Sequence, residues 1–310
     1  MNWFPKLDFQ AVFIEPWSSP ELIHWNSEVI IMGILVSWSC GLVGAFIVIR
    51  RMALMGDAIS HGILPGLVIS FLVCGSLAIG PMLLGACIAG LACSYCIEWL
   101  RSFTNVRQDA AMALVFTTFF AFGVTLINLQ TGHLDIDTGC ILYGEIGLVP
   151  LAPEIDLAGF KLGNQSILIM SIIFVFEVVL LVFFYKQLLI TSFDPTLALS
   201  TGWSPKWSHF GLMTILALCT VASLEAVGVI LVVAMLIFPS VTASFFFERL
   251  PAILFATFPF GILYSIIGFH LAHWLDCSIA AAMVVAATLL FILSIIIGKN
   301  NGMIVRKLTS

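Results

Sequence analysis

An all-α, polytopic membrane bundle of about eight or nine transmembrane helices follows from three observations. Hydrophobic residues make up 61% of the 310 residues and charged residues only 9%, whereas a soluble domain is about a quarter charged. The apolar residues gather into runs of the roughly 20 residues needed to cross a hydrocarbon core. The basic residues collect in connections that fall on one side of the membrane.

Nine runs qualify, at 29–49, 55–75, 80–100, 110–129, 165–185, 209–226, 228–247, 252–274 and 279–297. The stretch 209–247 is nearly unbroken, so the division near Glu225–Gly228 decides between eight spans and nine. Ahead of the first run, Met1–Glu28 carries Pro5, Lys6, Asp8, Glu15, Pro16, Pro20 and Glu21. It lacks the apolar core and small-residue cleavage site of a signal peptide. Its Trp3, Trp17 and Trp25 suit an extracytoplasmic arm, 1–28, lying along the membrane surface. The transmembrane domain is then 29–298 and the remaining tail 299–310. Cys140–Leu151 is too short to span and reads as a half-helix on the outer face.

With nine spans and the N-terminus outside, ten of the twelve Lys and Arg residues lie inside, all but Lys6 and Lys161, as the positive-inside rule requires. The C-terminal tail is then cytoplasmic. Eleven of the seventeen acidic residues land outside. There they either draw cations to an acidic mouth or simply keep the loops in water. Ser37, Gly41 and Ala45 recur every four residues, as do Gly85 and Ala89, a spacing that lets helices approach closely in lipid.

The eight cysteines form no disulfide framework: most lie in apolar runs, where Cys acts as a small hydrophobe. Cys93 and Cys96 make a CxxC inside a long helix with no second pair nearby, a weak sign of redox or zinc chemistry. There is no GxxxxGK[ST] phosphate loop, GxSxG or HExxH, and no basic surface for nucleic acid.

Polar residues interrupt the apolar background at three places. In GDAISHGILPG (56–66), Asp57 and His61 lie one helical turn apart on the same side. They make either a satisfied polar pair at the end of a span or a partial ligand set for a divalent transition metal. Pro65 cannot donate to the His61 carbonyl, which frees a backbone oxygen beside the pair and kinks the helix. The inner loop 188–207 contains Asp194-Pro195, an N-cap followed by Pro at the first helical position, with Gly202 as a stop. It therefore holds a short capped helix, suited to a soluble partner or to the interface alone. At the outer end of the eighth run, His270, His273 and Asp276 share roughly one face, as a wet helix end or an entry point for metal. Glu177, inside FVFEVVLL, needs a partner or a proton.

RRMALMGDAISHGILPG (50–66), SFDPTLALSTGWSP (192–205) and SLEAVGVILVVAMLIFPSVTA (223–243) together make the chain resemble the permease subunits of bacterial ABC-type manganese/zinc/iron uptake systems. LDIDTGCILYGEI (134–146) and Leu275-Asp276 match more weakly. The resemblance covers nearly everything after the arm and implies a type II ABC importer-like bundle in the bacterial inner membrane. It implies a non-enzymatic subunit with no permanently bound cofactor and a transported Mn, Zn or Fe ion. Its partners would be a cytoplasmic ATP-binding subunit, an extracytoplasmic metal-binding protein and a second permease subunit, identical or related. Asp57 and His61 would contact the metal. Ser192, Phe193, Asp194 and Pro195 would begin the element that couples to the ATPase. Asp135 and Asp137 would lie at the outer face, near the binding protein; Glu225, His270, His273 and Asp276 are further candidates for the outer path from their own positions rather than from the resemblance. The chain departs from the family at Glu225, where Gln is common, at His270 and His273, and in its longer arm. An ATP-independent metal channel or secondary transporter is the alternative, and an intramembrane redox enzyme using Cys93 and Cys96 a distant third.

Overall fold

Apolar helices carry almost all of the chain, as the hydrophobic runs require. The computed structural model describes residues 8–75, 79–104, 106–130, 145–157, 160–300 and 302. A one-turn helix, α1 (Phe9–Phe13), is capped by the Asp8 side chain, which accepts from the Gln10 amide. There follow a 3-10 turn (Glu15–Trp17) and the long α2 (Pro20–Ile49). Next come α3 (Met55–Gly62), α4 (Leu64–Cys74), α5 (Ile79–Phe103) and α6 (Gln108–Gln130). A 3-10 turn (Ile146–Leu151) leads to an antiparallel hairpin, β1 (Glu154–Leu157) and β2 (Phe160–Asn164), with Glu154 opposite Asn164. The chain then continues through α7 (Gln165–Phe193), α8 (Pro195–Ser200), α9 (Pro205–Val227), α10 (Val229–Ser244), α11 (Leu250–Leu275) and α12 (Ile279–Ile297).

Among the described residues eight helices are long and apolar enough to cross a membrane, counting Met55–Cys74 as one. The ninth run is the 16-residue α10, which rises about 24 Å against a core of about 30 Å. Gly228, at φ 78° in the left-handed region, separates it from α9, at the division expected near Glu225–Gly228. Three other limits differ from the sequence reading. Helix α2 starts at Pro20 rather than 29, because a Pro at the first helical position is followed by residues that all tolerate a helix. Helix α7 runs on to Phe193 rather than 185. Of Cys140–Leu151, only Glu145 onward is described, and Ile146–Leu151 forms a 3-10 turn containing Pro150.

The helices gather into two compact units. One comprises Ile49–Leu142 and Phe176–Glu225. In it α4 lies so close to α5 that a Cβ on Gly66 would overlap the Gly85 carbonyl oxygen, and the Ser70 hydroxyl donates to the Pro81 carbonyl at 2.6 Å. Leu64, Val68 and Ile127 form a buried cluster backed by Phe120 and Val124 of α6. The other unit comprises Met1–Val48, Tyr143–Val175 and Ala226–Ser310. There a Cβ on Gly44 of α2 would overlap the Leu236 carbonyl oxygen of α10. The buried Tyr264 hydroxyl of α11 bonds Thr242 of α10 at 2.9 Å. Small residues recur where helix backbones touch, the expected solution for packing in lipid.

Candidate functional site

Helix α2 ends at Ile49, and a sharp connection takes the chain into α3. Arg51 holds a left-handed φ of 58° there, and Met52 is buried. Asp57 falls in the first turn of α3 and His61 in the last, so each suits its end of the helix dipole. Their side chains meet, with Asp57 Oδ1 3.4 Å from His61 Nε2. They remain 37% and 27% exposed, accessible rather than sealed in the core. The His61 ring is bounded by Phe116 and Phe120 of α6, with centroids 5.9 and 5.8 Å away. Ser60 is spent locally, bonding the Gly56 carbonyl at 2.9 Å.

Two residues beyond Gly62 a new helix begins, with Pro65 in its first turn. The proline nitrogen carries no hydrogen, so the His61 carbonyl receives no bond from position 65. The expected break beside the pair is therefore present. What the pair offers an ion is one carboxylate and one imidazole, beside a carbonyl that lacks a donor from position 65, a mixed O/N set suited to Mn, Fe(II) or Zn rather than to Cu(I). Among the described residues no group of three or more His, Cys, Asp or Glu side chains gathers in metal-binding proximity. Around an ion at this pair, a single copy of the chain would supply only part of a shell.

The second element is the segment Ser192–Pro205. Asp194 caps α8, accepting from the Thr196 and Leu197 amides at 3.0 Å each and from the Thr196 hydroxyl at 2.6 Å. These hydrogen bonds, the Thr196 hydroxyl first, hold its carboxyl below the usual carboxylate range. Pro195 occupies the first helical position, and Gly202, at φ 85°, ends the turn. The capped helix expected from Asp194-Pro195 is thus formed. Phe193, Leu197, Leu199 and Trp203 are exposed along it.

Arg50 joins the two elements, a role that sequence reasoning missed. Its Nε donates to Ser192 Oγ at 2.9 Å and its Nη2 to Thr191 Oγ1 at 2.9 Å, with Ser208 Oγ at 3.4 Å. Thr191 and Ser208 also bond each other at 2.8 Å. One guanidinium therefore ties the entry to α3 to the end of α7 and the start of α9. The only sequence signal was the Arg50-Arg51 pair itself, which reads as an inside-facing charge.

The remaining sequence-derived candidates are dispersed. His270 Nδ1 lies 3.0 Å from the Val12 carbonyl, and its ring packs on Phe13 at 4.7 Å, so the arm docks on the end of α11. His273 Nδ1 lies 3.1 Å from the Phe269 carbonyl. Asp276 is the left-handed C-cap of α11. Glu225 lies in the last turn of α9. Asp135 and Asp137 fall outside the described residues. Glu177 is buried in α7, as its apolar flanks imply.

Known proteins resemble the chain over most of its length. The model of the ABC 3 transport family matches residues 23–298. The manganese transport system membrane protein MntD of Bacillus subtilis is 38% identical over 286 residues, 92% of this chain and 96% of that protein. The zinc transport system membrane protein TroD of Treponema pallidum is 36% identical over 279 residues, 90% of this chain and 76% of that protein. A chain of PsaBC from Streptococcus pneumoniae, solved in complex with Fab, superposes with a TM-score of 0.77 at 29% identity, covering 98% of this chain and all of that one. With a family match that runs through every membrane-spanning helix, the chain is a multi-pass transport subunit, not an enzyme, and belongs to the ABC 3 transport family.

Proposed function

We propose that this chain is the transmembrane subunit of an ATP-driven importer that carries a divalent transition metal, Mn, Zn or Fe(II), across the bacterial inner membrane. The observation that carries the reading is the Asp57–His61 pair, partly exposed, 3.4 Å apart and beside a helix break. Relatives named for manganese and zinc transport support the cargo class. With α10 taken as a ninth crossing despite its 16 residues, the N-terminus lies outside and the C-terminus in the cytoplasm. Asp57 and His61 hold the ion directly. Two subunits, identical or related, bring two such pairs together to complete its shell. Few protein ligands suit a site that must release what it binds.

The Ser192–Pro205 segment docks on a cytoplasmic ATP-binding subunit through its exposed apolar side chains, Phe193, Leu197, Leu199 and Trp203. ATP-driven closure of the ATPase moves that segment, and the Arg50 hydrogen bonds pass the movement to the entry of α3, changing access to the ion. An extracytoplasmic metal-binding protein delivers the cargo. Uptake of Mn, Fe and Zn, offered separately to a metal-starved bacterial host expressing the chain with its ATPase and binding protein, tests the reading. One metal should enter, and its uptake should be lost both in His61→Ala and with a hydrolysis-dead ATPase, while the complex still assembles. Normal uptake by His61→Ala would overturn the site. Uptake surviving the dead ATPase would favour a channel or secondary transporter.

A further inference from the structure

A second histidine and carboxylate meet in the same unit as Asp57 and His61. Glu98 lies near the end of α5 and His209 in the first turns of α9, with His209 Nε2 3.4 Å from Glu98 Oε2. That nitrogen is buried and faces the Glu98 carboxylate in a long contact, with no other hydrogen-bond partner among the described residues. A charge-assisted hydrogen bond would close the gap to roughly 2.8 Å. The separation instead equals that of Asp57 Oδ1 and His61 Nε2. Two ligand atoms each about 2.1 Å from a tetrahedral ion stand about 3.4 Å apart, so both pairs are spaced like neighbouring corners of one coordination shell.

The position of the second pair follows from the helix packing. The Cys93 thiol lies 3.8 Å from the carbonyl of Ala58, the residue after Asp57. Glu98 is five residues further along α5, about 7.5 Å, in the direction of Arg101. His209 follows Ser208, whose hydroxyl belongs to the Arg50 cluster beside the coupling segment. The pair therefore lies beyond Asp57/His61 toward the end of the unit that carries the coupling segment, the cytoplasmic end in the orientation proposed above. Its charge environment also differs. Arg101 Nη1 sits 3.2 Å from the same Glu98 oxygen, and Lys206 adds to the positive potential there. These cations weaken binding of another cation and favour its loss to water, while Arg101, 38% exposed, can swing aside when an ion enters.

We propose that Glu98 and His209 form a second, weaker divalent-cation stage on the exit side of Asp57/His61, which holds the ion before release. The inference rests on the reading of Asp57/His61 as the carrying site. The test is a Co²⁺ titration, followed by visible absorption, of the permease assembled with its ATPase in lipid nanodiscs. The wild type should show two phases, the second at least tenfold weaker. Glu98→Gln/His209→Gln should lose the weaker phase and keep the tighter one, and Asp57→Ala/His61→Ala should do the reverse. If the first double change prevents assembly, His209→Gln alone, which leaves Glu98 paired with Arg101, gives the same readout. A single wild-type phase would overturn the proposal. So would a Glu98/His209 variant whose titration superimposes on the wild type, even with a lowered Tm, because the pair would then be a strut between α5 and α9. Retention of the tight phase in Asp57→Ala/His61→Ala would instead refute the carrying site, a failure distinct from loss of the second phase.

Discussion

Arg50 concentrates the coupling argument in one side chain. It is partly buried, and its partners are the hydroxyls of Ser192, Thr191 and Ser208 rather than carboxylates. A planar fork satisfies Ser192 and Thr191 at once, and an ammonium cannot reproduce that geometry. Arg50→Lys therefore keeps the charge but loses at least one charge-assisted bond, worth about 1.5–3 kcal/mol. Uptake per ATP hydrolysed is expected to fall roughly tenfold, each decade corresponding to about 1.4 kcal/mol, while the complex still assembles. Parallel measurement of uptake and phosphate release checks this, and an unchanged ratio would remove Arg50 from the coupling path. Residues of this kind are where sequence reading runs out. Asp57 and His61 were legible because a spacing of four is local to one helix. Arg50 finds its partners far along the chain, as do Glu98 and His209, and no spacing rule reports such a meeting.

Short α8 stands or falls with its cap. Only six residues long, it is below the length at which helices persist by propensity, so the Asp194 hydrogen bonds and Pro195 carry its start. Asp194→Ala should fray it and reduce metal-stimulated ATP hydrolysis severalfold. Asp194→Asn should retain most activity, since its carbonyl oxygen accepts from the same amides. Equal loss in both variants would point to the charge rather than to the cap. Because hydrogen bonding lowers the folded-state pKa of Asp194, the carboxylate's contribution is complete above its unfolded pKa. It is lost only as pH falls through the lowered folded value. The cap is therefore intact throughout the neutral range, and the Asn variant should track the wild type across it. This element was legible because Asp-Pro and Gly punctuate it. The β1–β2 hairpin was not, since two strands of four and five residues carry too little alternation to stand out. The small-residue spacing on α2 announced a close approach, but not that Gly44 is where it would meet Leu236.

At the scale of the whole molecule, the carrying site proposed at Asp57 and His61 is unfinished in one chain. Asp57 and His61 supply two side-chain ligands, and no group of three forms among the described residues. A structural tetrahedral ion takes four ligands, which two chains related by a two-fold axis would provide. A rival completion, by water on each chain separately, predicts a different stoichiometry. In the Glu98→Gln/His209→Gln background, where the weaker stage is removed, the shared site predicts one tightly bound ion per two permease chains. The separate-site alternative predicts one per chain. Metal content of the assembled complex, measured after passage through a desalting column, decides between them. The shared arrangement carries a further consequence. Mixing His61→Ala chains with wild-type chains should yield hybrid complexes that bind much more weakly than the wild type, because each ion would lose a ligand whichever chain carried the change. Hybrids that bind half the wild-type amount at full affinity would show that each chain holds its own ion.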